Sequence, residues 1–362
     1  MGKIHKLSDR EKELLNVLGN HPEISIKELV NYTNYKRESS VGRKLHQLRE
    51  QRILDGPLYD LNYSKLCKNP LHKMFCIIET DNNQEIVIAY LKLIEPLRLV
   101  LSVLSHHKKV LVAVFYSSDD VEMKALLQLL KDNNIITDYL IRVWCSKRMV
   151  ENPNFFGDYN PSLDNLLSPR DIPDMSLKCH DTCWNECDIA IIPYLRFNDT
   201  KLIEILRKEK NLHRSWTYEQ VRYSREKMLK HGLIRKDYSI YPFSPDQCIR
   251  FGLFLITEDT ALMQRILYNF ARGARVYKEY VLCEDEGWVY CVCHPSFLKD
   301  LMRKLDQVEE IKEEEIYLIR TGSGKYHFAR YPVLKYFDFD EQTLKYPYHE
   351  YREKIKQKLE ND

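Results

Sequence analysis

The sequence predicts an α+β fold in which two winged helix-turn-helix domains alternate with two ferredoxin-like βαββαβ sandwiches. Three observations predict this class: capping boxes that start short helices, an alternation of strands and helices after each helical group, and a second half that repeats the order of the first. The predicted domains are winged helix-turn-helix 1 (1–66), sandwich 1 (70–146), a linker with clustered cysteines (147–187), winged helix-turn-helix 2 (188–244), sandwich 2 (246–322) and a C-terminal extension (323–362). The mixed charges of HEYREKIKQKLEND at the end of this extension predict a solvated helix.

The first helical group begins with two capping boxes. Ser8 pairs with Glu11 and Ser25 pairs with Glu28, and in each pair the two side chains satisfy the first free amides of a helix. A third helix is predicted over about residues 39–52 because apolar residues recur there at helical spacing. Its buried stripe is Val41, Leu45 and Leu48.

The first wing and the first sandwich follow this group. Asp55 and Gly56 lie between apolar residues, which predicts a two-stranded hairpin wing. After the break at residues 68–70, the pattern indicates a strand, a helix, two strands joined near His106 and His107, a second helix and a final strand. This order is that of a split βαβ sandwich.

The second half repeats the same order with different residues. Two apolar segments stand where helices one and two stood, and Thr217 with Gln220 forms a capping box for a third helix that runs through Lys230 and ends at Gly232. Residues 233–243 predict a second wing, and strand and helix patterns then recur in the order of the first sandwich. The chain is therefore interpreted as an internal duplication.

Charge is segregated along the chain although it nearly cancels overall. The 55 basic and 53 acidic residues give a net charge of +2, which neither indicates nor excludes nucleic acid. Residues 196–237 hold twelve lysines and arginines against six acids, whereas residues 151–188 hold eight acids against two basic residues. The second helical group is therefore expected to present a basic surface.

Composition also indicates the compartment. No apolar run reaches the roughly 18 residues needed to cross a bilayer, and the first residues lack the apolar core of a secretion signal. The protein is thus expected to be cytoplasmic, with no membrane partner. In that compartment the ten cysteines are expected to be reduced thiols or metal ligands.

A helix-turn-helix containing ESSVGRKLHQLREQRIL, followed by a βαββαβ unit, resembles the Lrp/AsnC family of transcription regulators, here duplicated in one chain. The resemblance rests on the order of elements and on Ser40, Val41, Arg43, Leu45 and Leu48. It implies sequence-specific binding of double-stranded DNA. It further implies that the sandwich, like the RAM domain of that family, dimerises and binds a small-molecule effector, so that a homodimer is expected. The second copy departs from the pattern, with Arg225 where Leu45 would correspond and Pro193 inside its first helix.

The third helices supply the candidate DNA contacts. Arginine and glutamine have the geometry that reads base edges, whereas lysine mainly contacts phosphate. The candidates in the first copy are Lys36, Arg37, Ser40, Arg43, Lys44 and Gln47, with Arg43 and Gln47 expected to read sequence. The candidates in the second copy are Arg214, Tyr218, Arg222, Tyr223, Arg225 and Lys227.

Clustered cysteines suggest a metal or redox site. On a helix, Cys179, Cys183 and Cys187 would lie along one face because they are spaced four residues apart. With His180 or Cys145 as a fourth ligand they would hold zinc or an iron-sulfur cluster. The alternative is that they are reduced cysteines packed in a connecting segment.

Two other classes of function fit the same order of elements. Siroheme decarboxylases resemble this arrangement of winged helices and sandwiches, but they are enzymes of haem biosynthesis. Such an enzyme needs arginine, lysine and histidine converging on a porphyrin with many carboxylates, whereas a regulator needs basic residues on exposed third helices. A protein-interaction scaffold is the third alternative. No HExxH, Walker or GxGxxG motif supports protease or nucleotide chemistry.

Overall fold

The computed structural model describes residues 7–105, 108–195, 201–284, 286–320, 328–329 and 333–362. The predicted turn at His106 and His107 lies outside these ranges. The elements of the first half are α1 (Asp9–Asn20), α2 (Ile26–Tyr32), α3 (Glu38–Glu50), β1 (Leu54–Leu61), β2 (His72–Thr80), α4 (Gln84–Leu91), β3 (Leu97–Leu104), β4 (Lys109–Ser117), α5 (Asp120–Asp132), β5 (Asp138–Val143) and β6 (Met149–Glu151).

The second half repeats this order. Its elements are α6 (Glu186–Leu195), α7 (Leu202–Asn211), α8 (Tyr218–Lys230), β7 (Ile234–Ile240), β8 (Ile249–Thr257), α9 (Thr260–Asn269), β9 (Tyr277–Cys283), β10 (Glu286–Cys293), α10 (Pro295–Leu305) and β11 (Ile311–Ile319). The C-terminal elements are β12 (Phe328–Ala329), β13 (Phe337–Asp338), β14 (Thr343–Leu344) and α11 (Tyr348–Asn361). The α+β class and the alternation of helical groups with βαββαβ units are confirmed.

Local signals placed the helix starts correctly. The capping boxes at Ser8, Ser25 and Thr217 are all present, each with its reciprocal pair of hydrogen bonds. The predicted stripe of α3 is buried, with at most 3% of any of its three side chains exposed. Pro193 lies inside α6, as expected.

The strands of the two sandwiches form one continuous sheet. Their order is β5-β2-β4-β3-β11-β8-β10-β9-β6 among the described residues, so each half keeps the split βαβ order. The halves join where β3 pairs with β11, with Leu104 opposite Leu318. At the far ends of the sheet Trp144 bridges Cys283, so the sheet curls back on itself.

An apolar core fills the space between the two halves of the sheet. Phe75 of the first half lies 5.9 Å from Phe254 and 5.1 Å from Trp288 of the second half, measured between ring centroids. All three rings are buried. The two sandwiches of one chain therefore cover each other's sheet face.

The wings differ from the prediction. Each wing contributes one strand rather than a hairpin of its own, and β1 pairs with β7 in an antiparallel two-stranded sheet. Tyr238 and Ile240 of β7 consequently enter the core of the first helical group. Residues near Asp55 and Gly56 continue the strand because the pairing partner comes from the other half of the chain.

Two further expectations are corrected. The cysteines do not share a helix face, because Cys187 lies in α6 while Cys179 and Cys183 precede it in a segment with neither helix nor strand. The C-terminal helix, expected to be a solvated charged helix, buries Tyr351 and Ile355. No described helix is long and apolar enough to span a membrane.

Candidate functional site

A cavity of about 670 Å³ lies between the paired wings and the first sandwich. Its walls come from the end of β1, the start of β2, the turn after β5, residues 176–178 of the linker, and the junction of α8 with β7. This volume is in the range of sites that enclose a small molecule.

Basic side chains outnumber acidic ones in the cavity wall. Its lysines and arginines are Lys65, Lys73, Lys147, Arg148, Lys178, Lys230 and Arg235, and its histidines are His72 and His231. The acids that the described residues contribute to the lining are Glu23 and Asp60. Tyr63, Tyr116 and Trp144 add aromatic surface, and the rings of Tyr63 and Tyr116 stack 4.1 Å apart. A wall of this kind fits a flat, apolar ligand that carries several negative groups.

Lys73 is the most electrostatically perturbed amine of the wall. Its Nζ lies 3.5 Å from the centroid of the Trp144 ring. Burial lowers the pKa of Lys73 to about 7, with a further lowering from the nearby charge of Arg148. Arg148 itself binds Glu279 at 2.8 Å and Asp60 at 3.2 Å. Arg148 is thus held by acids, whereas Lys73 gains a proton readily when an anion arrives.

His72 is held by a carboxylate at the start of α5. Its Nδ1 lies 2.6 Å from Oδ2 of Asp120, so the Nδ1–H donates to the carboxylate and Nε2 is left for the cavity. The hydrogen bond to Asp120 raises the pKa of His72. His72 is therefore prepared to carry a proton into the cavity.

Two further side chains of the cavity wall, Lys65 and His231, are bonded to the linker. Lys65 Nζ lies 2.7 Å from Asp181, and His231 Nδ1 lies 3.0 Å from the hydroxyl of Thr182. Lys147 is half-buried, and burial lowers its pKa, with Arg235 and Lys178 lowering it further. Residues 176–178 of the linker thus form part of the wall, while Asp181 and Thr182 orient Lys65 and His231.

The predicted DNA contacts of the first copy lie mostly on the surface. Lys36, Arg37, Arg43 and Gln47 are exposed, and Ser40 is half-buried in the first turn of α3. Lys44 instead binds the buried Glu11 at 3.0 Å.

The predicted contacts of the second copy divide into two groups. Tyr218, Arg222 and Tyr223 are exposed, although Arg222 lies near two acids of its own helix. Lys227 binds the fully buried Asp188 at 2.6 Å, Arg214 binds the buried Glu209 at 3.1 Å, and Arg225 is half-buried. Contact with phosphate would require Lys227 and Arg214 to break these pairs.

The predicted metal ligands are not brought together. Among the described residues no group of three or more histidine, cysteine, aspartate or glutamate side chains is placed to hold a metal ion. Cys145, Cys179 and Cys183 are exposed, Cys187 is buried, and His180 is half-buried. The zinc or iron-sulfur hypothesis for these five residues therefore has no support in the geometry.

Sequence reasoning missed the cavity residues because they come from separate segments. One signal was present: the basic pairs His72-Lys73 and Lys147-Arg148 stand at the start of β2 and just beyond β5. These strands pair antiparallel, so the start of one meets the end of the other, and the Trp144 amide donates to the Lys73 carbonyl.

Comparison with solved structures supports the fold. The chain matches two crystal structures of the siroheme decarboxylase NirDL, one of them in complex with an iron-uroporphyrin III analogue. The TM-scores are 0.50 and 0.51, and both matches have 13% identity and cover 98% of this chain and 99% of that chain. These matches show that the chain shares this fold over nearly its whole length.

A regulator matches part of the chain. The leucine response regulatory protein of Mycobacterium tuberculosis is 17% identical and matches 38% of this chain and 91% of its own, with a TM-score of 0.29, too low to support an argument. No protein-family model and no curated protein matches the sequence.

Proposed function

We propose that this chain binds a tetrapyrrole bearing several carboxylates in the basic cavity and acts on it as a siroheme-decarboxylase-like enzyme. The observation that carries the proposal is the convergence of seven lysine and arginine and two histidine side chains on one cavity of about 670 Å³. Burying several carboxylates is costly unless each finds a cationic partner. The fold of a protein solved with an iron-uroporphyrin III analogue lends support.

The residues of the cavity suit the loss of CO₂ from a bound carboxylate. The bond between the carboxylate carbon and its neighbour breaks, CO₂ leaves, and the electron pair that remains on the neighbouring carbon takes up one proton. His72, held by Asp120, is the proposed proton donor, and Lys73 is the proposed partner of a second carboxylate. The tyrosine and tryptophan rings would pack on the macrocycle.

The test is incubation of the protein with siroheme, followed by mass spectrometry for a product that has lost CO₂. We expect wild type to form it and His72→Asn to form it roughly a hundredfold more slowly, as loss of a general acid commonly does. Arg303→Ala is the matched control because Arg303 is exposed on α10, away from the cavity. A wild-type protein that binds siroheme but releases no CO₂ would disprove the decarboxylase part.

A second candidate function is DNA-binding transcription regulation by a homodimer, with the cavity as its effector site. The specific observation in its favour is the exposed face of α3, where Arg43 and Gln47 face solvent. A mobility shift on the protein's own promoter at two salt concentrations tests this, since neutralised phosphates make affinity fall steeply with salt. If a shift is seen and Arg43→Ala with Lys44→Ala leaves it unchanged, the predicted reading helix is wrong.

A further inference from the structure

The C-terminal segment 342–348 makes hydrogen bonds to the chain that leads into β2 and to the turn between β4 and α5. On one side it contacts Lys68 and Asn69, three to four residues before His72, and on the other it contacts Ser118 and Asp119, directly before Asp120. This segment lies outside the cavity wall itself. Its role in the proposed function is therefore indirect.

Tyr348 holds the turn that leads into α5. Its hydroxyl oxygen accepts from the backbone amides of Ser118 at 2.9 Å and Asp119 at 3.2 Å. The amide of Tyr346 donates to the Ser118 hydroxyl at 3.0 Å. Asp120, the partner of His72, is the next residue of this turn, so the tyrosine hydroxyl fixes the backbone that carries the carboxylate.

The same segment holds the chain that leads into β2. The Asn69 side chain makes a reciprocal pair with Leu344, accepting from its amide at 2.8 Å and donating to its carbonyl at 2.9 Å. The Lys68 amide donates to the Gln342 carbonyl at 2.8 Å. His72 follows three residues after Asn69, so both members of the His72–Asp120 pair are reached from one segment.

Gln342 connects the same segment to Lys65 of the cavity wall. This buried side chain bonds both the amide and the carbonyl of Trp184, at 2.7 and 3.0 Å. The Trp184 indole N–H donates in turn to the Lys65 carbonyl at 2.9 Å. One stretch of seven residues is thus connected to the chain that leads to His72, to the turn that leads to Asp120, and to Lys65 of the cavity wall.

We propose that residues 342–348 form a clamp that sets the geometry of the His72–Asp120 pair, with Tyr348 as a positioning residue for the proton donor. This inference rests on the proposed function for its catalytic meaning. Its physical basis is that proton transfer depends on placement, and a shift of about 1 Å lowers the rate markedly.

The test compares Tyr348→Phe with Tyr346→Phe. The control is matched because the Tyr346 hydroxyl is buried with no hydrogen-bond partner in the described chain. The first measurement is an NMR titration of the His72 ring in ligand-free protein. The second is the rate of CO₂ loss from siroheme against pH.

We expect Tyr348→Phe to lower the His72 titration midpoint and to slow CO₂ loss by roughly threefold to tenfold, the effect of one buried hydrogen bond. Tyr346→Phe should change neither. Asp120, outside the lining, is the carboxylate that faces His72. Both variants also keep the titratable groups that line the cavity beside His72, which are Lys65, Lys73, Lys147, Arg148, Lys178, Lys230, Arg235, Tyr63, Tyr116, His231, Glu23 and Asp60.

An unchanged His72 midpoint in folded Tyr348→Phe would overturn the inference. If that variant does not fold, Asn69→Ala probes the clamp from the His72 side and must lower the same midpoint. The two proposals fail separately: absence of CO₂ loss in wild type removes the proposed function, whereas the titration of ligand-free protein still decides the clamp.

Discussion

At the scale of single residues, Lys73 gives the cavity a predictable pH dependence. With its pKa lowered to about 7 by burial, Lys73 is largely neutral above that pH in the free protein. A bound carboxylate raises the pKa again, so binding takes up a proton. We predict that affinity for iron-uroporphyrin III falls between about pH 7 and about pH 9, measured by absorbance titration. Lys73→Met should flatten this dependence; an equal slope in that variant would contradict the assignment.

The His72–Asp120 pair predicts a second pH effect, on stability. Because the hydrogen bond raises the pKa of His72, its stabilisation is complete below the ordinary histidine pKa of about 6.5 and is lost as pH rises through the folded value. Asp120→Asn should therefore lower the free energy of unfolding more at about pH 5.5 than at about pH 9. The loss should be at most about 1 kcal/mol, since both side chains are about a third exposed. Urea denaturation at the two pH values measures it.

At the scale of elements, the sequence predicted what is local. Helix starts follow from Ser8, Ser25 and Thr217 because a capping box needs only four consecutive residues. The prediction of a hairpin in each wing was wrong because strand pairing is not local: β1 pairs with β7 of the other half. The C-terminal helix was likewise misjudged, since the surface it covers belongs to distant residues such as Ser118.

A substitution at Gly56 tests the described pairing of the two wings. Its φ of +120° is a conformation that other residues avoid, and an added Cβ would meet the Tyr238 ring at 2.9 Å. Gly56→Ala should destabilise the protein by about 2 kcal/mol or more. The control is Gly42→Ala, where open space surrounds a glycine inside α3 and a gain of roughly 0.5–1 kcal/mol is expected. Equal stabilities of the two variants in chemical denaturation would contradict the described wing.

At the scale of the molecule, the two halves depend on one shared core. Phe254 is 2% exposed and its ring packs edge-on against Phe75 of the other half. Phe254→Ala should cost roughly 3–5 kcal/mol. Met302→Ala, at a position 43% exposed on α10, should change stability by no more than about 0.5 kcal/mol. Thermal and urea unfolding check both, and a small loss for Phe254→Ala would mean that the sheet faces are not mutually buried.

The cavity is also a property of the whole chain, which explains why the sequence did not reveal it. Lys73, Lys147 and Lys230 lie in three segments far apart in sequence and meet only because both wings and the linker converge on the first sandwich. The overall charge of +2 concealed this concentration of cations. The exposed α3 face was easier to predict, since helical periodicity identifies it directly.

The most direct measurement of the central claim is a calorimetric titration of iron-uroporphyrin III into three proteins: wild type, Lys73→Met with Lys147→Met, and Arg43→Ala with Gln47→Ala. If the cavity is the functional site, the cavity variant binds at least about tenfold more weakly, because charged hydrogen bonds to carboxylates are lost. The α3 variant should bind as wild type does. Equal affinities of all three proteins, or a loss confined to the α3 variant, would contradict the account.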